Sequence, residues 1–298
     1  MISRIIIRIC FFSLGFCFTQ DIQVKMLTKS YFDVPVLGKV YLSQTTYLSN
    51  NRKNTIEKTD IETRFFGFIA GLVSDIKDTT GTLIDEEGQE WEYNINDKEY
   101  WKVLKENEQA PEDGDNESKK IEYTIGSDDE SSNENKVISV SRLGHEKMEN
   151  IHGFRTKKWT TTLEFSEFKW IINEWSVREL PLLHLADSLN REVLISKGVS
   201  DTLIAISRYG SGLSNNEMIL GATSLDSLYQ VYGISPISGE IIKGNVEKVE
   251  KGDDDSNMSF GIEMIELYAE TYDENKFTIP DDYEFIAVSY THLRAHET

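Results

Sequence analysis

The chain has almost no cysteine. Of 298 residues only Cys10 and Cys17 carry a thiol, and both fall in the opening segment of the sequence. If that segment is removed, the remainder has no disulfide, no thiolate nucleophile and no cysteine metal ligand, so stability rests on burial. Positive charge is scarce as well, with 31 Lys and Arg against 51 Asp and Glu and a formal net charge of -20. No basic stripe occurs. That excludes the clustered cations that grip nucleic-acid phosphates and disfavours anionic membrane surfaces. Histidine is sparse too, five in all, which leaves few members for a hydrolytic triad.

What is present at the N-terminus is Arg4 and Arg8, then an apolar stretch from Ile9 to Phe18, then polar Thr19, Gln20 and Asp21. This order predicts a signal peptide over residues 1–19, cut near Thr19, and an exported protein of the periplasm or exterior. A membrane-spanning helix needs about 20 apolar residues, roughly twice this run. Lipidation at Cys17 is a second reading, which the bulky Phe16 before it disfavours. At the other end, Val288 to Thr298 (VSYTHLRAHET) resembles a translated sequencing adapter and is set aside with His292, His296 and Tyr290. The natural chain is then expected to continue a little past Ala287. Removing Arg4 and Arg8 takes the charge from -20 to about -22, since Arg294 and Glu297 cancel.

Residues 20–287 are expected to form one β-rich domain without internal repeats. Period-two patterning predicts strands through Gly38 to Tyr47, a turn at Asn50 and Asn51, then Thr82 to Ile84, a turn over Asp85 to Gly88, and Glu90 to Ile95. Tyr100 and Trp101 are expected at a further edge. Residues 106–135 are rich in Glu, Asp, Asn, Ser and Gly and predict an acidic flexible insertion, interrupted by a short strand at Lys120 to Ile125. Strands are predicted again at Lys136 to Val140, Phe154 to Thr162 and Phe168 to Val177. Residues 180–233 form the helical portion. Pro181 opens a helix whose apolar face holds Leu182, Leu185, Leu189, Val193 and Leu194. A second helix is predicted over Asp201 to Ser207, and a third is capped by Ser224 and ends near Gly233. Strands at Gly239 to Val249 and Ser259 to Tyr272 flank an acidic turn. Strands, helices, strands in that order predict a sheet with helices on one face.

Three strings, Ile151 to Thr160 (IHGFRTKKWT), Asn173 to Pro181 (NEWSVRELP) and Phe277 to Phe285 (FTIPDDYEF), resemble motifs of a secreted bacterial family of unknown function. Its fold is similar to the outer-membrane lipoprotein carriers of the Lol type. The resemblance implies an α+β, β-rich fold: a curved, open antiparallel sheet, or half-barrel, with helices packed on its concave face and an apolar cavity between them. The insertion at 106–135 is foreign to that pattern.

Candidate pocket residues follow. Phe65 to Val73 (FFGFIAGLV) is the most apolar run, with Phe65, Phe66, Phe68, Ile69 and Leu72 either buried in the core or forming a flap over a greasy pocket. Trp159, Trp170 and Trp175 sit on adjacent predicted strands, as core or as lining of an apolar-ligand cavity. His145, Glu146 and His152 lack helical zinc spacing, and a loop and turn are expected between them. Asp253, Asp255 and Asn257 imitate the start of a calcium loop, but Met258 and Met264 occupy the places of its glycine and terminal acid. Ser211 between Gly210 and Gly212 is not a nucleophile elbow, and His184 is isolated. No catalytic residue, metal or cofactor is expected. Taken with the resemblance, the sequence favours an exported, non-enzymatic envelope protein that binds a lipid or lipoprotein segment. An interaction or sensor module using the acidic insertion, and an unrecognised hydrolase, are the alternatives.

Overall fold

A computed structural model describes residues 22–34, 38–63, 79–104, 137–199, 225–252 and 258–287. The expected signal peptide with both cysteines, the Phe65 to Val73 run, the acidic insertion, the helix over Asp201 to Ser207, Ser211, the Asp253 to Asn257 turn and the last eleven residues lie outside them.

The elements are β1 (Ile22–Val34), β2 (Gly38–Ser49), β3 (Arg52–Thr63), β4 (Thr79–Ile84), β5 (Glu90–Asn94), β6 (Glu99–Lys102), β7 (Ser139–Ile151), β8 (Phe154–Glu164), β9 (Phe168–Val177), α1 (Pro181–Ser196), α2 (Leu225–Val231), β10 (Glu240–Glu250), β11 (Ser259–Thr271) and β12 (Glu284–Phe285). The twelve strands of the described residues form one open sheet in the order β12-β6-β5-β4-β3-β2-β1-β11-β10-β9-β8-β7. Neighbours are antiparallel, apart from β12, which runs parallel to β6.

Local chemistry explains the element ends. Asn50 and Asn51 make the two-residue turn between β2 and β3, with Asn51 at φ 61, a conformation asparagine tolerates. Pro181 occupies the first turn of α1, where its missing N–H costs nothing. Gly198 closes α1 with φ 86; its N–H donates to Ile195 O and that of Val199 to Leu194 O. Gly233 closes α2 the same way, with Ile234 N donating to Tyr229 O.

The register assigns every side chain to one of two faces. Val24, Met26 and Phe32 of β1 share a face with Leu48 of β2, with Leu267, Met264 and Phe260 of β11, and with Val246, Ile172 and Leu163. Both helices pack here. Leu183, Ala186 and Leu189 of α1 meet Val24, Met26, Leu48, Ile242, Met264 and Leu267. Leu225 and Tyr229 of α2 meet Leu163, Trp170, Ile172, Val246 and Phe260. This is the helix face.

The far face is buried at one end of the sheet. There Tyr47, Leu83 and Tyr93 pack beneath Phe277, with Trp91, Tyr100, Ile279 and Tyr283 at the margin. The covering piece is the chain after β11. A close approach marks this end: Gly81 lies opposite Tyr93, and a Cβ on it would meet the tyrosine ring at 2.0 Å. Two further cross-strand pairs, Gly144 with Trp159 and Gly261 with Tyr31, lay a ring over a glycine in the same way.

Two expectations are corrected. The buried stripe of α1 is Leu183, Ala186, Leu189 and Val193, with Leu182 and Leu185 at its margin. Counting leucines overlooks Ala186, whose small side chain lets the helix sit close on the sheet. The stretch around His145 is strand, since β7 runs on to Ile151 through a bulge between Gly144 and Met148. Its Glu, Lys, Met and Asn residues suit an exposed edge strand and therefore imitate a loop in sequence.

Candidate functional site

Helix-face residues between α1 and α2 form an apolar strip. Phe32 is the centre. Its partners in register are Val40 on β2 and Phe260 on β11, and Val40 in turn pairs with Ile61 on β3. Two residues along, Ser30 pairs with Leu42 and with Ile262. Alternation on β1, β2 and β3 thus sends Phe32, Val40, Leu42, Ile61 and Ile262 to one surface. The Phe32 and Phe260 rings stack with centroids 6.0 Å apart and planes 22° apart. Phe260 is buried under α2, whereas Phe32 is 43% exposed. One partner of the stack belongs to the core and the other to the open strip.

The strip has polar boundaries. Toward α1, Gln44 Nε2 donates to Glu57 Oε1 at 2.6 Å on the same face. Beyond α2 lies a charged inlay. Arg142 and Glu174 are 7% and 8% exposed, their Nη2 and Oε2 are 4.0 Å apart, and the guanidinium lies 4.2 Å from the Tyr229 ring centroid. Arg142 also donates to Thr161 Oγ1 at 2.8 Å and to Ser235 O at 2.7 Å. Burial, with Glu174 adding to it and Arg142 opposing, pushes the Tyr229 hydroxyl up to about 12. The Arg142 guanidinium of this inlay is committed to internal partners.

The three tryptophans part company. Trp170 is buried in the α2 cluster, making an edge contact with Phe260 at 6.5 Å. Trp159 is on the same face nearer the β7 edge, where its Nε1 donates to Ser176 Oγ at 3.0 Å and Lys157 Nζ sits 4.2 Å over its ring. Trp175 pairs with Lys158 and Lys243 on the far face, and its Nε1 donates to Glu149 Oε2 at 2.8 Å. Lys158 and Lys243 lie 5.0 and 5.3 Å from its ring. One cavity therefore does not gather all three. Phe65, Phe66, Phe68, Ile69 and Leu72 lie outside the described residues.

The histidines take separate partners. His145 Nε2 is 3.0 Å from Thr160 Oγ1, and His152 Nε2 is 3.4 Å from Glu263 Oε2. Partial burial alone would raise the Glu263 carboxyl, but Lys243 and His152 hold it below the usual carboxylate range. Among the described residues no group of three or more His, Cys, Asp or Glu is placed to hold a metal. None of their helices is long and apolar enough to cross a membrane.

Sequence reasoning passed over Phe32 and Ile61. Their signal was present as strand alternation, but its meaning depends on β1 lying between β2 and β11, a pairing of the two ends of the sequence.

No family model matches the sequence, and no curated protein matches it. Among solved structures the chain is similar to a LolA superfamily protein from Nitrosomonas europaea, at 6% identity over 88% of this chain and 91% of that one, with a TM-score of 0.23. It is also similar to a DUF1329 family protein from Desulfovibrio piger, at 9% identity over 87% and 91%, with a TM-score of 0.25. At these TM-scores the chains superpose only loosely.

Proposed function

We propose that this chain is an exported, non-enzymatic protein of the cell envelope. It binds an apolar ligand, a lipid or lipoprotein segment, between the concave side of its sheet and the two helices. The exposed Phe32 ring, continuous through its stack on Phe260 with a buried core and flanked by Val40, Leu42, Ile61 and Ile262, is the observation that carries this reading. An apolar strip of this kind loses water contact when an acyl chain lies along it, at about 25 cal/mol per Å2 removed from solvent. Phe65, Phe66, Phe68, Ile69 and Leu72 belong to the same reading on sequence grounds, as does export.

Native mass spectrometry after gentle purification is expected to find co-purifying lipid, and an environment-sensitive apolar dye is expected to bind. The Phe32→Asp variant, which alters an exposed position, is expected to weaken the dye about fivefold to tenfold by losing the aromatic contact and adding a charge. Absence of both lipid and dye binding in the unaltered protein would overturn the reading.

A further inference from the structure

The far face holds a cleft that owes nothing to the apolar strip. It forms because the chain after β11 is tied down at two places and bows between them. At the first, Phe277 is buried and stacks on Tyr272 at 5.4 Å, while Asn54 Nδ2 donates to Lys276 O at 2.8 Å. At the second, β12 joins β6: Glu284 N donates to Lys98 O and Ile286 N to Tyr100 O, both at 2.8 Å. Between them the bowed segment, with Asp281 and Tyr283, forms one wall, and Asp85, Trp91 and Tyr100 form the other, around an open space of about 420 Å3. That volume lies in the usual range of small-molecule sites.

Its chemistry is aromatic and anionic. Trp91 and Tyr100 are tilted rings 6.1 Å apart, Tyr100 leans on Phe285 at 5.4 Å, and Tyr283 meets Tyr93 edge-on at 6.1 Å. Among the described residues two carboxylates line the space and no lysine or arginine does. Asp85 is fixed in place, since Oδ1 accepts from Gln89 N at 2.8 Å and Oδ2 from Trp91 Nε1 at 3.1 Å. With one internal donor on each oxygen, Asp85 is held as a fixed negative charge at the cleft wall. Sugar hydroxyls and primary amines need acceptors; a methylated ammonium needs only ring faces and nearby charge.

We propose that this cleft is a binding site for a quaternary ammonium group, with Trp91, Tyr100 and Tyr283 supplying the ring faces and Asp85 and Asp281 the charge. The group can belong to a free solute or to a choline headgroup of a lipid. The site lies across the sheet from the proposed apolar strip and stands without it.

Choline and its uncharged isostere 3,3-dimethylbutan-1-ol separate charge recognition from simple burial. The full chain is titrated with each while the five tryptophan indole N–H signals are followed by NMR, with that of Trp91 assigned from Trp91→Phe. Choline is expected to shift the Trp91 signal saturably, and the isostere to require about tenfold more. Asp281→Asn alters an exposed residue and keeps the fold, so it carries the test even if Trp91→Phe unfolds; it is expected to weaken choline about threefold and leave the isostere unchanged. Sedimentation with phosphatidylcholine and with phosphatidylglycerol vesicles then assigns the source. Choline-competed capture by the former alone marks a headgroup site, and choline binding without capture marks a free solute. Equal binding of choline and its isostere, or no response at Trp91, would overturn the proposal.

Discussion

At the β8 to β10 end of the sheet, Leu163, Trp170 and Ile172 point toward α2, and the reverse side carries Lys158, Lys169 and Lys243. At the β4 to β6 end the sides are exchanged: Leu83, Trp91 and Tyr93 point toward the C-terminal segment, and the reverse side carries Glu90 and Glu92. The same two-residue alternation serves both. What differs is which piece of chain returns over the strands, and it decides which side is built from apolar residues. The two cores also differ in kind. Under α2, Phe165 and Phe168 stack at 4.5 Å with no polar tip to satisfy, and of the buried rings there only Trp170 and Tyr229 carry one. Beneath the C-terminal segment the rings carry polar tips, and Tyr93 Oη donates to Asn54 Oδ1 at 2.8 Å. The first core gives burial; the second adds orientation.

The largest test of this contrast falls on the helix face. Leu183 is wholly buried between α1 and the sheet, so Leu183→Ala is expected to cost about 3 kcal/mol by chemical denaturation through lost transfer energy and a cavity. A loss well under 1 kcal/mol would mean that α1 rests on the sheet without holding it. On the far face Gly81→Ala is expected to cost about 2 kcal/mol, since its Cβ must displace the Tyr93 ring from which Asn54 takes its hydrogen bond. An unchanged denaturation midpoint would show that the ring moves freely and that orientation is not what this core supplies.

The fold was legible where its causes are local. Asn50 and Asn51 mark a hairpin, Pro181 a helix start and Gly233 a helix end, and the structure puts all three there. The arrangement of both helices on one side of a large antiparallel sheet also followed from the order of elements. Distance in sequence set the limit. Nothing near Tyr100 announces that it will lie beside Phe285, and the tyrosines and tryptophans of β5 and β6 read equally well as an exposed edge. The candidate strip was half legible: Val40 and Leu42 show the alternation, but Phe32 gains its partner only when β1 meets β11.

Alkaline pH compares the two ends directly, because each has a buried tyrosine whose hydroxyl is raised. Burial pushes Tyr93 and Tyr229 up from 10.0 to about 12. Between those values the unfolded chain has lost the phenolic proton and the folded chain keeps it, so stability falls as pH rises through this window. At pH 11 each tyrosine costs about 1.4 kcal/mol relative to neutral pH. Urea midpoints measured from pH 8 to 11 should therefore decline, and Tyr93→Phe and Tyr229→Phe should each remove part of the decline. If only Tyr93→Phe does so, alkaline opening begins beneath the C-terminal segment.

The smallest expected effect concerns how that segment is held. Lys98 Nζ and Asp282 Oδ2 are 2.7 Å apart, and the contact raises the lysine and lowers the carboxyl from their ordinary values. Both groups are fully exposed, so water and salt screen their attraction. The neighbouring backbone bond from Glu284 N to Lys98 O does not involve the ammonium, and Phe277 anchors the segment from its other end. Lys98→Gln is accordingly expected to leave the melting temperature unchanged in both low and high salt, whereas Phe277→Ala lowers it in both. A clear loss for Lys98→Gln that disappears in high salt would assign the segment's attachment to charge, and the two ends of the sheet would then differ in the force that closes them as well as in the face they close.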